Sequence, residues 1–174
     1  RQRQMCIRDR AIALAVATSM IKVIKLPMGG SVTLFSMLFI VLIGYWYGIK
    51  TGLTAAIAYG VLQLLLDPYI LNIPQVLLDY ILGFGALGLS GIFSKSKHGL
   101  VKGYIIGVIG RFICSFLSGW IFFAVYTPDF FNSAILYSVV YNGSYIGLEA
   151  VVTLVVISLP PVNKALAYVK NNLV

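Results

Sequence analysis

Three ionisable side chains, Asp79, Arg111 and Glu149, fall inside long apolar runs of the sequence. A charge at the centre of a bilayer costs about 2.5–3.5 kcal/mol on insertion scales unless it faces a cavity or a partner, so such residues mark function or pairing. Asp79 could pair with Arg111 and tie two helices together, or at least one of the three could line a ligand pocket. The neighbours favour the pocket: Tyr80 follows Asp79, Ser115 stands one helical turn after Arg111, and Tyr137 shares a run with Asn142. Polar tips among aromatic rings around one carboxylate suit a small, flat, cationic or amine-bearing solute. Its ring would stack on Tyr80, Tyr137 or Phe123, its positive centre would gain cation–π attraction, and Asp79 would supply the counter-charge. Glu149 reads instead as a lateral contact or a helix-bundle residue.

No metal-ligand set, nucleophile–base pair or phosphate-binding lysine loop accompanies these residues in the sequence. The pattern is that of a binder or carrier with no cofactor and no intrinsic ATPase, rather than an enzyme. Residues 83–88 match the glycine spacing of a dinucleotide turn, but no strand precedes them, so the glycines read as packing residues that let helix backbones approach. Asn142-Gly143-Ser144 matches a glycosylation acceptor inside a predicted span and carries no such role. Cys6 and Cys114 offer neither a disulfide framework nor a metal cluster, and His98 sits in a lysine-rich loop as a solvated residue.

The elements that must position these residues follow from composition and punctuation. Of the residues, 60% are hydrophobic and 10% are charged, against roughly 25% charged in a soluble domain. An all-α integral membrane protein is the expected class, with one domain over residues 11–174. The apolar runs predict six helices over residues 11–25, 33–47, 52–66, 75–93, 100–125 and 132–159. The second and third are shorter than the roughly 20 residues a span requires, which implies tilt or local thinning. Residues 1–10 carry four arginines and no apolar run, and read as a non-native leader outside the fold.

Lys50, then Lys95, Lys97 and Lys102, then Lys164 and Lys170 fall after the second, fourth and sixth helices, whereas Asp67 and Asp129 lie in the opposite loops. Positive charge is retained on the cytoplasmic side. Both termini are therefore expected in the cytoplasm, with Lys22 and Lys25 as the exceptions. The net charge of +8 is accounted for by topology and anionic lipid, and nucleic acid is not a partner.

Residues 25–34 (KLPMGGSVTL), 59–66 (YGVLQLLL), 75–80 (QVLLDY) and 84–91 (FGALGLSG), with Arg111-Phe112, Leu117-Ser118-Gly119, Tyr137 and Asn142 following in order, resemble the thiamine-specific substrate-binding component of energy-coupling factor transporters. The resemblance covers nearly all of the chain after Arg10. It implies a six-helix bundle in a prokaryotic plasma membrane that binds thiamine near its extracellular face and associates with a transmembrane coupling subunit and two cytoplasmic ATPases. On the family pattern, the ligand contacts map onto Asp79, Tyr80, Tyr137, Asn142 and Phe123, and Tyr59 falls where an aromatic stands in the third helix. Gly29 and Gly30 would be flexible points of a lid. Ala11 with Ala15, and Ala13 with Ala17, would form the docking face for the coupling subunit.

The family pattern places a histidine where this chain has Ser115, and some members have a tryptophan where it has Phe123. Serine cannot stack on a thiazolium ring, so a weaker affinity, or a thiamine precursor or related vitamin as ligand, is the alternative. A membrane scaffold whose polar residues only pair helices is the reading from another class. Trp120 beside a pocket would make intrinsic fluorescence respond to thiamine and would separate the two.

Overall fold

Runs of Leu, Ile, Val and Ala punctuated by Gly and Pro fold as helices in the computed structural model, which describes residues 2–26, 30–33, 35–129 and 131–173. In chain order these residues form α1 (Gln2–Met20), β1 (Lys22–Lys25), β2 (Ser31–Thr33), α2 (Ser36–Tyr47), α3 (Ile49–Leu66), α4 (Ile73–Phe93), α5 (Gly99–Phe122), a 3-10 turn (Ala124–Tyr126), α6 (Ala134–Ser158) and α7 (Pro160–Leu173). Among the described residues α3, α4, α5 and α6 are long and apolar enough to cross a membrane, and α2 is a shorter apolar helix. The all-α membrane class holds.

The expected count of six helices is corrected to seven among the described residues. Pro160-Pro161 follows the expected end of the sixth helix at residue 159, and proline is tolerated in the first turn of a new helix, where its missing N–H has no partner to lose. The pair starts α7, and Leu159, held extended before it, makes the corner. The end expected for the first helix is also corrected. Residues 22–25 place the β-branched pair Val23-Ile24 between two lysines, and they leave the helix to pair antiparallel with β2, Ile24 opposite Val32 and Lys25 opposite Ser31. At its other end α1 begins at Gln2, so the arginine-rich segment set apart on composition is continuous with it.

The second half of α4 is packed by α2, α3 and α5, and α6 lies on α5. Small residues allow this proximity. A Cβ added to Gly88 would lie 2.6 Å from the Leu53 backbone of α3, closer than any real side chain. Ser90 of α4 donates to the Val41 carbonyl at 3.0 Å. Ile40, Ile43, Ala56, Leu87, Tyr104 and Ile157 fill the buried centre. In a bilayer, where lipid tails are as apolar as leucine, this close van der Waals packing holds helices together.

The two ends of the bundle differ. At one, Lys22 of β1 pairs with Asp67 at the end of α3. At the other, α7 is anchored against α2: the Trp46 indole donates to the Leu166 carbonyl at 3.3 Å, and Lys170 lies 3.8 Å from the Tyr45 ring centre while donating to the Ser94 carbonyl. Burial pulls the Lys170 ammonium below the ordinary lysine range. The Lys95–His98 segment is exposed at this same end.

Candidate functional site

The site is built at the end that carries the hairpin, where the close of α3, the start of α4, the close of α5 and the start of α6 converge on a cavity of about 130 Å³. Its key residues sit on an irregular stretch of helix. Asn72 caps α4 by accepting from the Gln75 amide at 2.8 Å, and residues Leu77–Leu82 then follow in a π-helical turn. Such widened turns recur at functional sites because they shift side chains out of helical register. Here the turn carries Asp79 and Tyr80.

Asp79 accepts at one oxygen, Oδ2, from Gln75 Nε2 at 2.6 Å and from Ser118 Oγ of α5 at 2.8 Å. Its Oδ1 has no protein donor among the described residues. No ion pair within 4.0 Å joins it to Arg111, so the pairing reading is set aside. Arg111 instead packs over the Phe84 ring, 4.1 Å from its centre, with Nη1 buried and unpartnered. Gln75, 1% exposed, spends its remaining groups on the α3–α4 connection, accepting from the Leu71 amide at 3.1 Å and donating to the Tyr69 carbonyl at 3.1 Å. The Tyr80 hydroxyl is tied to the same connection, accepting from the Tyr69 amide at 2.9 Å and donating to the Asp67 carbonyl at 3.0 Å.

The walls are aromatic. Tyr137, Tyr141 and Tyr145 form a row along α6 with ring centres 5.8 and 5.7 Å apart, and Tyr69 stacks on Phe123 at 5.7 Å. Tyr59 meets Phe84 edge to face at 5.1 Å. The hairpin closes one side, with the Gly30 amide donating to the Tyr141 hydroxyl at 3.0 Å. Asn142 is satisfied within α6, donating to the Ser138 carbonyl at 3.0 Å and accepting from the Tyr145 hydroxyl at 2.9 Å.

All eight residues singled out for ligand contact, Asp79, Tyr80, Tyr137, Asn142, Phe123, Tyr59, Ser115 and Arg111, line this one cavity, and so does Gly30. Gly29 lies outside the described residues. Other features stand elsewhere. Trp120 is 43% exposed and stacks on Phe116 away from the cavity, so the expectation of a tryptophan beside the pocket is corrected. Ala11 and Ala15 are buried inside the bundle, whereas Ala13 and Ala17 face outward. Gln75, Ser118, Tyr69, Tyr141 and Tyr145 line the cavity too and were not singled out. Tyr141 and Tyr145 continue the four-residue spacing from Tyr137, a signal that could have found them.

The sequence pattern of the thiamine transporter protein family (Thia_YuaJ) matches residues 9–168. The chain belongs to this family. It is 31% identical over 163 residues to the thiamine transporter ThiT of Bacillus subtilis, covering 86% of this chain and 83% of that one. A ThiT of Lacticaseibacillus paracasei is 29% identical over 127 residues, 63% of each chain. The solved structure of ThiT from Listeria monocytogenes superposes with a TM-score of 0.74 over 91% of this chain and 94% of that one, at 22% identity, and so shares the fold. The family is one of transporter proteins rather than enzymes.

Proposed function

We propose that this chain captures thiamine from outside the cell, as the membrane-embedded binding subunit of an energy-coupled importer. The observation that carries this reading is the Asp79 carboxylate, fixed among the described residues by two neutral donors and by no cation within 4.0 Å, with its second oxygen given no protein donor by those residues, inside an aromatic-walled cavity. A carboxylate so placed has an oxygen to offer a cationic ligand, and the tyrosine and phenylalanine faces add stacking and cation–π attraction for a flat cation. Family membership and the ThiT relatives support thiamine as that cation. Ser115 in place of the family histidine favours a second reading, in which a thiamine precursor or related pyrimidine is preferred.

The reading extends to assembly. α1 and α2 would complete six tilted spans with α3 to α6, leaving α7 along the cytoplasmic surface. The lysine-rich end would face the cytoplasm and the cavity would face outward. Ala13 and Ala17, small and outward-facing on α1, would allow the close approach of a transmembrane coupling subunit, with two cytoplasmic ATPases supplying energy. Titration calorimetry of the purified protein with thiamine, its phosphates and its pyrimidine half tests the ligand. Thiamine binding tightest of the panel is expected. Absence of binding to any of them would overturn the proposal, and preference for the pyrimidine half would favour the second reading.

A further inference from the structure

Glu149 lies outside the cavity lining, yet it is 5% exposed and fully engaged. Its Oε2 accepts from Thr33 Oγ1 at 2.8 Å, and its Oε1 accepts from Ser36 Oγ at 3.2 Å and from the Met37 amide at 3.2 Å. Thr33 ends β2, and Ser36 and Met37 open α2. Between them Phe35 holds a left-handed backbone, φ 61°, which is unfavourable for a bulky residue and persists only where surrounding contacts fix it. Phe35 supplies no side-chain cap to α2. Glu149, 112 positions away from Met37 on another helix, does so instead, placing a carboxylate at the positive end of the α2 dipole. Among the described residues no cation lies within 4.0 Å of it.

The groups it holds belong to the wall of the site. Ser31, Thr33 and Ser36 line the cavity, on the side where Gly30 meets Tyr141. We propose that Glu149 is a positioning residue, anchoring β2 and the first turn of α2 to α6 and thereby fixing the cavity wall that retains bound ligand. This inference rests on the thiamine reading for its ligand but not for its mechanics. A wall held from outside the cavity slows escape of a bound molecule without touching it, so its loss belongs in the dissociation rate.

The test compares wild type, Glu149→Gln, Thr33→Val and the double variant. Glu149→Gln turns one acceptor into a donor facing other donors, whereas Thr33→Val leaves the carboxylate in place and removes the strand's hydroxyl, with its bond to Glu149 and its 2.6 Å contact with Ser36 Oγ. Two measurements are made: hydrogen exchange over residues 30–37 in ligand-free protein, and dissociation of labelled thiamine. Faster exchange in both single variants, about tenfold faster dissociation with association within twofold of wild type, and a double variant no worse than Glu149→Gln alone are expected. Unchanged exchange, or faster exchange with unaltered dissociation, overturns the proposal. So does equal loss in both rate constants with additive effects. Should Glu149→Gln fail to fold, the same criteria apply to Thr33→Val alone. If wild type binds no thiamine, the ligand reading has failed, and the exchange measurement alone decides for or against the anchor.

Discussion

Gln75 and Asp79 stand one turn apart on α4, and the Gln75 amide donates to the Asp79 carboxylate at 2.6 Å while reaching back to the Tyr69 carbonyl at 3.1 Å. One buried side chain thus couples the geometry of the α3–α4 connection to that of the carboxylate. Replacing it with an apolar side chain leaves the Tyr69 carbonyl and Leu71 amide without their partner, and an orphaned buried polar group costs about 1–3 kcal/mol. Gln75→Leu should therefore lower both the apo Tm and the thiamine affinity, by about ten- to a hundredfold in Kd. Ser118→Ala removes one donor to Asp79 and nothing from the connection, so it should weaken binding with a smaller change in Tm. Calorimetry and thermal unfolding in detergent measure both.

Gly88→Ala probes packing rather than binding. The new Cβ would meet Leu53 backbone atoms at 2.6 Å, and backbone cannot turn aside as a flexible side chain can. Overpacking of this kind costs typically about 1–3 kcal/mol. The variant should unfold several degrees below wild type. An unchanged Tm would mean that α3 and α4 can separate without loss.

How far the sequence reaches is seen in particular residues. Asp79, Arg111 and the tyrosines announce themselves because polar atoms in an apolar run are costly, and they meet in one cavity. Whether Asp79 pairs with Arg111 was not legible, because helical spacing places residues on a face but does not give the rotation of one helix against another. The π turn at Leu77–Leu82 settles it by handing Asp79 to Gln75 and Ser118. The hairpin was missed for a related reason: Lys22–Lys25 continues the apolar run of α1, and only its partner strand shows that it has left the helix. Glu149 was legible as a bundle residue, but the three donors it gathers lie more than a hundred positions away.

Orientation gives a prediction independent of the ligand. Ser96 is exposed in the loop between α4 and α5, among Lys95, Lys97 and His98, at the end opposite the cavity. If that end faces the cytoplasm, Ser96→Cys in a background free of Cys6 and Cys114 should resist a membrane-impermeant thiol reagent applied to intact cells. It should react after the membrane is opened. Ready labelling from outside would invert the topology.

The sharpest prediction concerns charge at Asp79. Asp79→Asn keeps the side-chain shape and removes the negative charge, and charge-assisted hydrogen bonds contribute about 1.5–3 kcal/mol. If the carboxylate faces a cationic ligand, thiamine affinity should fall about ten- to a hundredfold. The apo protein should be affected much less, because Arg111 rests on Phe84 and is not ion-paired with Asp79, so no partner charge is stranded. Arg111→Met gives the complementary measurement: it removes a buried cation whose Nη1 has no acceptor, and should leave Asp79 in place between Gln75 and Ser118. The two variants separate the roles when each is followed by apo Tm and by calorimetry with thiamine. An Asp79→Asn protein that melts well below wild type yet binds thiamine normally would show that the carboxylate serves the fold and that the cation site lies elsewhere.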